Sequence, residues 1–93
     1  MNWKTKKLKE LANILLNIKE KNDMLNFLRD VCTLEELESI SSRWQAVQLI
    51  NQGISYRIVA KKTGLSTTTV TRVAHWLNNG EGGYKKALDI KKE

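Results

Sequence analysis

Ser55-Tyr56-Arg57-Ile58-Val59-Ala60-Lys61-Lys62-Thr63-Gly64-Leu65-Ser66-Thr67-Thr68-Thr69-Val70-Thr71-Arg72-Val73-Ala74-His75 is the stretch that decides the fold. Ala60 is small where two helices would cross closely. Gly64, four residues on, suits a sharp turn in which a side chain would meet a disfavoured backbone conformation. Val59, Leu65, Val70 and Val73 can supply a shared core, and Ser66 can cap the second helix. An ordinary antiparallel helix pair with a glycine turn would not require alanine and glycine at those offsets. The order of small residue, turn glycine, apolar residue, cap and valines predicts a helix-turn-helix.

The outward positions of the second helix are then Thr67, Thr68, Thr71, Arg72 and His75, with Ser66 at its start. Short hydroxyl side chains at a helix N-terminus can enter the major groove and bond to base edges, and threonine methyls can touch the thymine methyl. The free amides of that N-terminus also favour a phosphate. Arg57, Lys61 and Lys62 lie on the preceding helix, where it would cross the DNA backbone, and Arg72 can join them. Threonine is a poor helix former, so three in succession at a helix start either cap and pack or read DNA. Charge distribution agrees with a polyanionic partner. Residues 51–93 hold eight Lys/Arg against three Asp/Glu, a net of +5 within a chain total of +6.

Working outward, a first helix is expected over residues 3–20, with Leu8, Leu11, Leu15 and Ile18 at helical spacing and lysines on the other side. Asn22 or Asp23 can cap a second helix with Met24, Leu25, Phe27, Leu28 and Val31 on its apolar face. Thr33 and Glu36 form a capping box that opens a long helix of about 34–51, with Leu37, Ile40, Trp44 and Val47 in one stripe. Gly53 ends it. Ser55 caps a short helix, Ser66 another that ends near Asn79-Gly80, and a last helix covers about 83–91. The expected organisation is one all-α domain over 1–93: dimerisation helices in 1–52, a helix-turn-helix in 55–78 and a C-terminal helix in 83–93. The N-terminal helices offer more apolar surface than one small core can cover, so a homodimer with those helices at its interface is expected.

The same residues argue against other classes. No apolar run approaches the roughly 20 residues of a membrane span. The N-terminus has no secretory pattern, and a single cysteine, Cys32, forbids an internal disulfide. A cytoplasmic location is expected. His75 is the only histidine and lies far from Cys32, so no metal site is expected. Glu35, Glu36 and Glu38 sit at a helix N-terminus, where negative charge meets the dipole favourably, rather than forming an acid/base pair. Gly80-Glu81-Gly82-Gly83 lacks the strand and the Lys-Ser/Thr of a phosphate loop. No catalytic residue is expected, and the chain is read as a non-enzyme.

From about Phe27 to Leu88 the chain resembles the tryptophan repressor family of bacterial helix-turn-helix proteins, in particular its YerC/YecD-type branch. The resemblance rests on Thr33-Leu34-Glu35-Glu36, on Ser42-Arg43, on Gly53-Ile54-Ser55 and on Thr69-Val70-Thr71-Arg72. It implies six helices per subunit, interlocked in a dimer that places two recognition helices in successive major grooves. It also implies a co-repressor site. The two arginines that sandwich an indole match Arg43 and Arg72, and a threonine near the ligand matches Thr33. Where that pocket has glycine this chain has Val73, and where it has serine this chain has Trp76. Valine narrows the space, and the Trp76 indole could occupy it or simply pack in the core. Arg43 could equally be a solvated arginine paired with Glu36 or another acid. No cofactor is therefore expected, and free L-tryptophan is not expected to bind.

The function expected is a sequence-specific double-stranded DNA-binding transcriptional regulator, a repressor acting as a homodimer on a palindromic operator. Base readout falls to Thr67, Thr68 and Thr71, and phosphate contacts to Arg57, Lys61, Lys62 and Arg72, with Ser66 and His75 at the margins. The alternatives are a basic helical module that docks an acidic protein and a DNA coat without sequence preference.

Overall fold

The computed structural model describes residues 2–92. Six helices follow one another: α1 Lys6–Asn17, α2 Lys21–Val31, α3 Leu34–Asn51, α4 Tyr56–Thr63, α5 Thr67–Asn79 and α6 Gly83–Lys92. Among the described residues there is no strand, so the expected all-α, six-helix class holds. The chain divides into two compact units, Met1–Leu37 and Glu38–Glu93.

In the first unit, α1 begins three residues later than its apolar periodicity suggests. The Thr5 hydroxyl accepts a hydrogen bond from the Leu8 N–H at 3.2 Å and so fixes the start there. Helix α2 starts ahead of the expected caps Asn22 and Asp23. Its N-cap is Glu20, which makes no side-chain capping bond, and Asn22 and Asp23 lie inside the first turn. Asp23 still favours that end through the helix dipole. The Thr33–Glu36 capping box is present in both directions: the Glu36 N–H donates to Thr33 Oγ1 at 3.1 Å, and the Thr33 N–H donates to Glu36 Oε1 at 2.8 Å. The Glu36 carboxyl is held below its ordinary value of 4.5, first by that backbone N–H and then by the Thr33 side chain. Neither α1 nor α2 buries a residue.

The second unit holds the core. Ala46 and Val47 of α3, Val59 of α4, Val70, Val73 and Leu77 of α5, and Leu88 of α6 cluster there, with Trp44, Leu49, Ile50, Ile54, Ala60, Leu65 and Tyr84 packed around them. The expected α3 stripe is only partly right. Ile40 is 56% exposed, and the residues α3 buries are Ser42, Ala46 and Val47. The small side chains Ser42 and Ala46 mark the buried face of α3, a face that counting large apolar residues passes over.

Helix α4 packs on α5, and α5 on α6. Gly64 adopts φ +79° and its N–H donates to the Ala60 carbonyl at 2.9 Å, ending α4 in the left-handed conformation that only glycine takes without strain. Ser55 and Ser66 cap α4 and α5 as expected, accepting from the N–H groups of Ile58 and Thr69.

Candidate nucleic-acid interface

The turn between α4 and α5 is held by a residue the sequence did not single out. Thr63 is buried; its hydroxyl donates to the Val59 carbonyl at 2.8 Å and accepts from the Leu65 N–H at 3.3 Å. One side chain thus ties the end of α4 to the residue that leads into α5. The only advance signal was a threonine beside the turn glycine, which local hydrogen bonding favours.

At the start of α5 the three consecutive threonines separate by role. Thr69 is half-buried, and its hydroxyl accepts from the Ser66 hydroxyl at 3.0 Å while its N–H donates to Ser66 Oγ at 3.1 Å. Ser66 and Thr69 are therefore occupied in capping one another's surroundings. Thr67 and Thr68 are exposed, and their hydroxyls bond to nothing among the described residues. One turn on, the exposed Thr71 hydroxyl donates to the Thr67 carbonyl at 3.0 Å, which leaves its lone pairs as acceptors.

Arg57, Lys61 and Lys62 of α4 and Arg72 of α5 are all exposed and without an ion pair among the described residues. His75 is exposed and its Nδ1 lies 3.4 Å from the Asn79 side-chain amide, which leaves Nε2 as the ring nitrogen without a partner among the described residues. The helix pair thus exposes free hydroxyls, unpaired cations and the amide end of a helix. That combination can neutralise phosphates and offer hydrogen bonds to base edges.

Of the residues matched to a co-repressor site, four lie in the second unit and one in the first. Val73 is fully buried in the core. Arg72 is exposed. Thr33 belongs to the first unit and is engaged in the capping box. Arg43 and Trp76 do meet: the Arg43 guanidinium carbon lies over the Trp76 ring at 5.8 Å from its centroid, within the range of a cation–π contact. Arg43 is not paired with Glu36, whose carboxylate serves Thr33. The Arg43 Nε is buried and has no hydrogen-bond partner. Trp76 is 42% exposed, so it is not a core residue of this unit.

Among the described residues no group of three or more His, Cys, Asp or Glu side chains could hold a metal ion, and no helix is long and apolar enough to cross a membrane.

Comparison with known proteins agrees with this architecture. Residues 6–92 match the family described as Trp repressor protein. The chain is 35% identical to the uncharacterized protein YerC of Bacillus subtilis (strain 168) over 88 residues, which cover 95% of this chain and 85% of that one. The crystal structure of a TrpR-like protein from Eubacterium eligens ATCC 27750 superposes with a TM-score of 0.90 at 32% identity, covering 96% of this chain and 92% of the other. A structure from Staphylococcus aureus described as a candidate Trp repressor gives 0.89 at 31% identity, covering 96% and 89%. With six helices, a helix-turn-helix in its second half and these relatives along nearly its whole length, the chain belongs to the Trp repressor family of DNA-binding regulators.

Proposed function

We propose that the protein is a sequence-specific double-stranded DNA-binding transcriptional regulator. It acts as a homodimer on a palindromic operator, represses by occupying it, and does so without free L-tryptophan. The observation that carries the DNA reading is the free, exposed pair of hydroxyls on Thr67 and Thr68 at the amide end of α5, on a helix pair that also exposes the unpaired Arg57, Lys61, Lys62 and Arg72. Thr67, Thr68 and Thr71 read base edges; the four cations and His75 fix the register on the phosphates. Ser66 holds the helix end that presents them.

The independence from L-tryptophan is supported by the Arg43–Trp76 stack. An indole carried on α5 already covers the Arg43 guanidinium. Val73 is packed in the core at 0% exposure, at a position where the family's ligand site needs a glycine. The test is selection of bound fragments from a random DNA pool by the purified protein, with and without an amino-acid mixture. The outcome expected is a two-fold symmetric motif enriched equally in both arms. An unsymmetric or absent motif counts against the operator reading, and enrichment only with the amino acids counts against ligand independence.

A further inference from the structure

A helix that ends on a left-handed glycine can close in two ways. In the doubly bonded closure the Leu65 N–H would take the Ala60 carbonyl and the Gly64 N–H that of Lys61. The turn between α4 and α5 has the singly bonded closure instead, with the Gly64 N–H on the Ala60 carbonyl at 2.9 Å. That leaves the half-buried Leu65 N–H without a backbone acceptor among the described residues, and the Thr63 hydroxyl accepts it at 3.3 Å. The hydroxyl is itself fixed in direction, because it donates to the Val59 carbonyl at 2.8 Å and Thr63 is only 7% exposed. A valine in its place would fill the same space and return the Leu65 N–H to the other closure.

Helix α5 begins two residues beyond Leu65. Its body is anchored by Val70, Val73 and Leu77, which share the core with Val59. Its first turn carries the exposed Thr67 and Thr68 and has no buried residue before Val70, so its direction is set by the turn that feeds it. We propose that Thr63 is a positioning residue for base readout: its hydroxyl holds the singly bonded closure and thereby sets the angle at which α5 presents Thr67 and Thr68. This rests on the DNA reading above and deepens it. Hydrogen bonds to base edges weaken steeply with misalignment, whereas long lysine and arginine side chains follow a phosphate through a small tilt. Loss of the hydroxyl is therefore a loss of discrimination, with the general attraction to DNA retained.

The test compares the full-length native protein with Thr63→Val, which keeps the shape, and Thr63→Ser, which keeps the hydroxyl. Residual dipolar couplings of the backbone amides give the angle between α4 and α5 without DNA. Competition binding gives the ratio of affinity for the selected operator to that for a random-sequence duplex. Thr63→Val is expected to change the angle and to lower the ratio by about 10-fold. Affinity for the random duplex, and its slope against salt, should stay as in the native protein. Thr63→Ser should restore both angle and ratio. Thr63→Ala removes the same oxygen and takes the place of the valine variant if that does not fold. A valine variant that is less stable in urea but keeps the native angle and ratio overturns the inference and leaves the operator reading standing. So does a serine variant that behaves like the valine one, since the methyl group would then be what matters. A native protein that prefers no motif removes the operator reading and this inference together.

Discussion

Thr68 and Thr69 are neighbours of identical chemistry with opposite uses. Thr69 turns back to Ser66 and closes the start of α5; Thr68 faces out with its hydroxyl unused. Substitution separates them. Thr69→Ala is expected to cost about 1 kcal/mol of stability in urea titrations, the usual worth of a capping interaction. Thr68→Ala should leave stability unchanged within about 0.5 kcal/mol and lose about 1 kcal/mol of discrimination at one base step in competition binding. Equal weakening on every sequence would remove Thr68 from base readout. Lys61→Ala should instead weaken all sequences alike and reduce the slope of log affinity against log salt by about 0.9. At the other end of the chain, Glu36 gives a pH signature. Its folded carboxyl is held below 4.5, so its contribution is fully present above that value and is lost as pH falls through the lower folded value. Hydrogen exchange at the first turn of α3 should accelerate over that acid range in the native chain, and Glu36→Gln should abolish the pH dependence of that turn.

Among the elements, what the sequence revealed best was local. The caps at Ser55 and Ser66, the left-handed turn at Gly64 and the capping box at Thr33 depend on residues within one turn of each other, and all are present. What was not legible depends on partners distant in sequence. Ile40 has helical periodicity with the core residues of α3 and still faces out, while Ser42 is buried, because the burying surface belongs to other helices. Thr63 was passed over for a related reason: its importance arises only once Val59 and Leu65 are brought to its two sides. The candidate interface was legible in outline for the same reason the caps were, since its hydroxyls and cations lie along two successive helices. The meeting of Arg43 with Trp76 needed the packing of α3 against α5. Two glycines allow a quantitative check. At Gly64 an added Cβ would meet nothing within 4 Å, so the penalty of Gly64→Ala is the left-handed φ of +79° alone, about 1 kcal/mol. At Gly80 the φ is ordinary, but an added Cβ would stand 2.4 Å from the Trp76 carbonyl oxygen, an atom of backbone that cannot step aside. Gly80→Ala is therefore expected to be the more damaging of the two in thermal unfolding.

For the whole molecule, the second unit has a core of its own while α1 and α2 bury nothing. Small domains keep too little apolar surface covered to leave helices in that condition without a partner, which is the physical ground for expecting a pair of chains. A two-fold pair fixes the distance between its recognition helices, so protected half-sites should repeat at roughly 34–36 Å, one turn of the duplex. Footprinting on the selected operator measures this directly, and inserting five base pairs between half-sites should abolish cooperative protection by turning one site to the far side of the helix. Titration calorimetry with L-tryptophan should show no heat of binding up to millimolar ligand. The contact of Trp76 with Arg43 has one more consequence. Both partners are covalent parts of the chain, so dialysis cannot strip the indole away and starvation for an amino acid cannot empty its place.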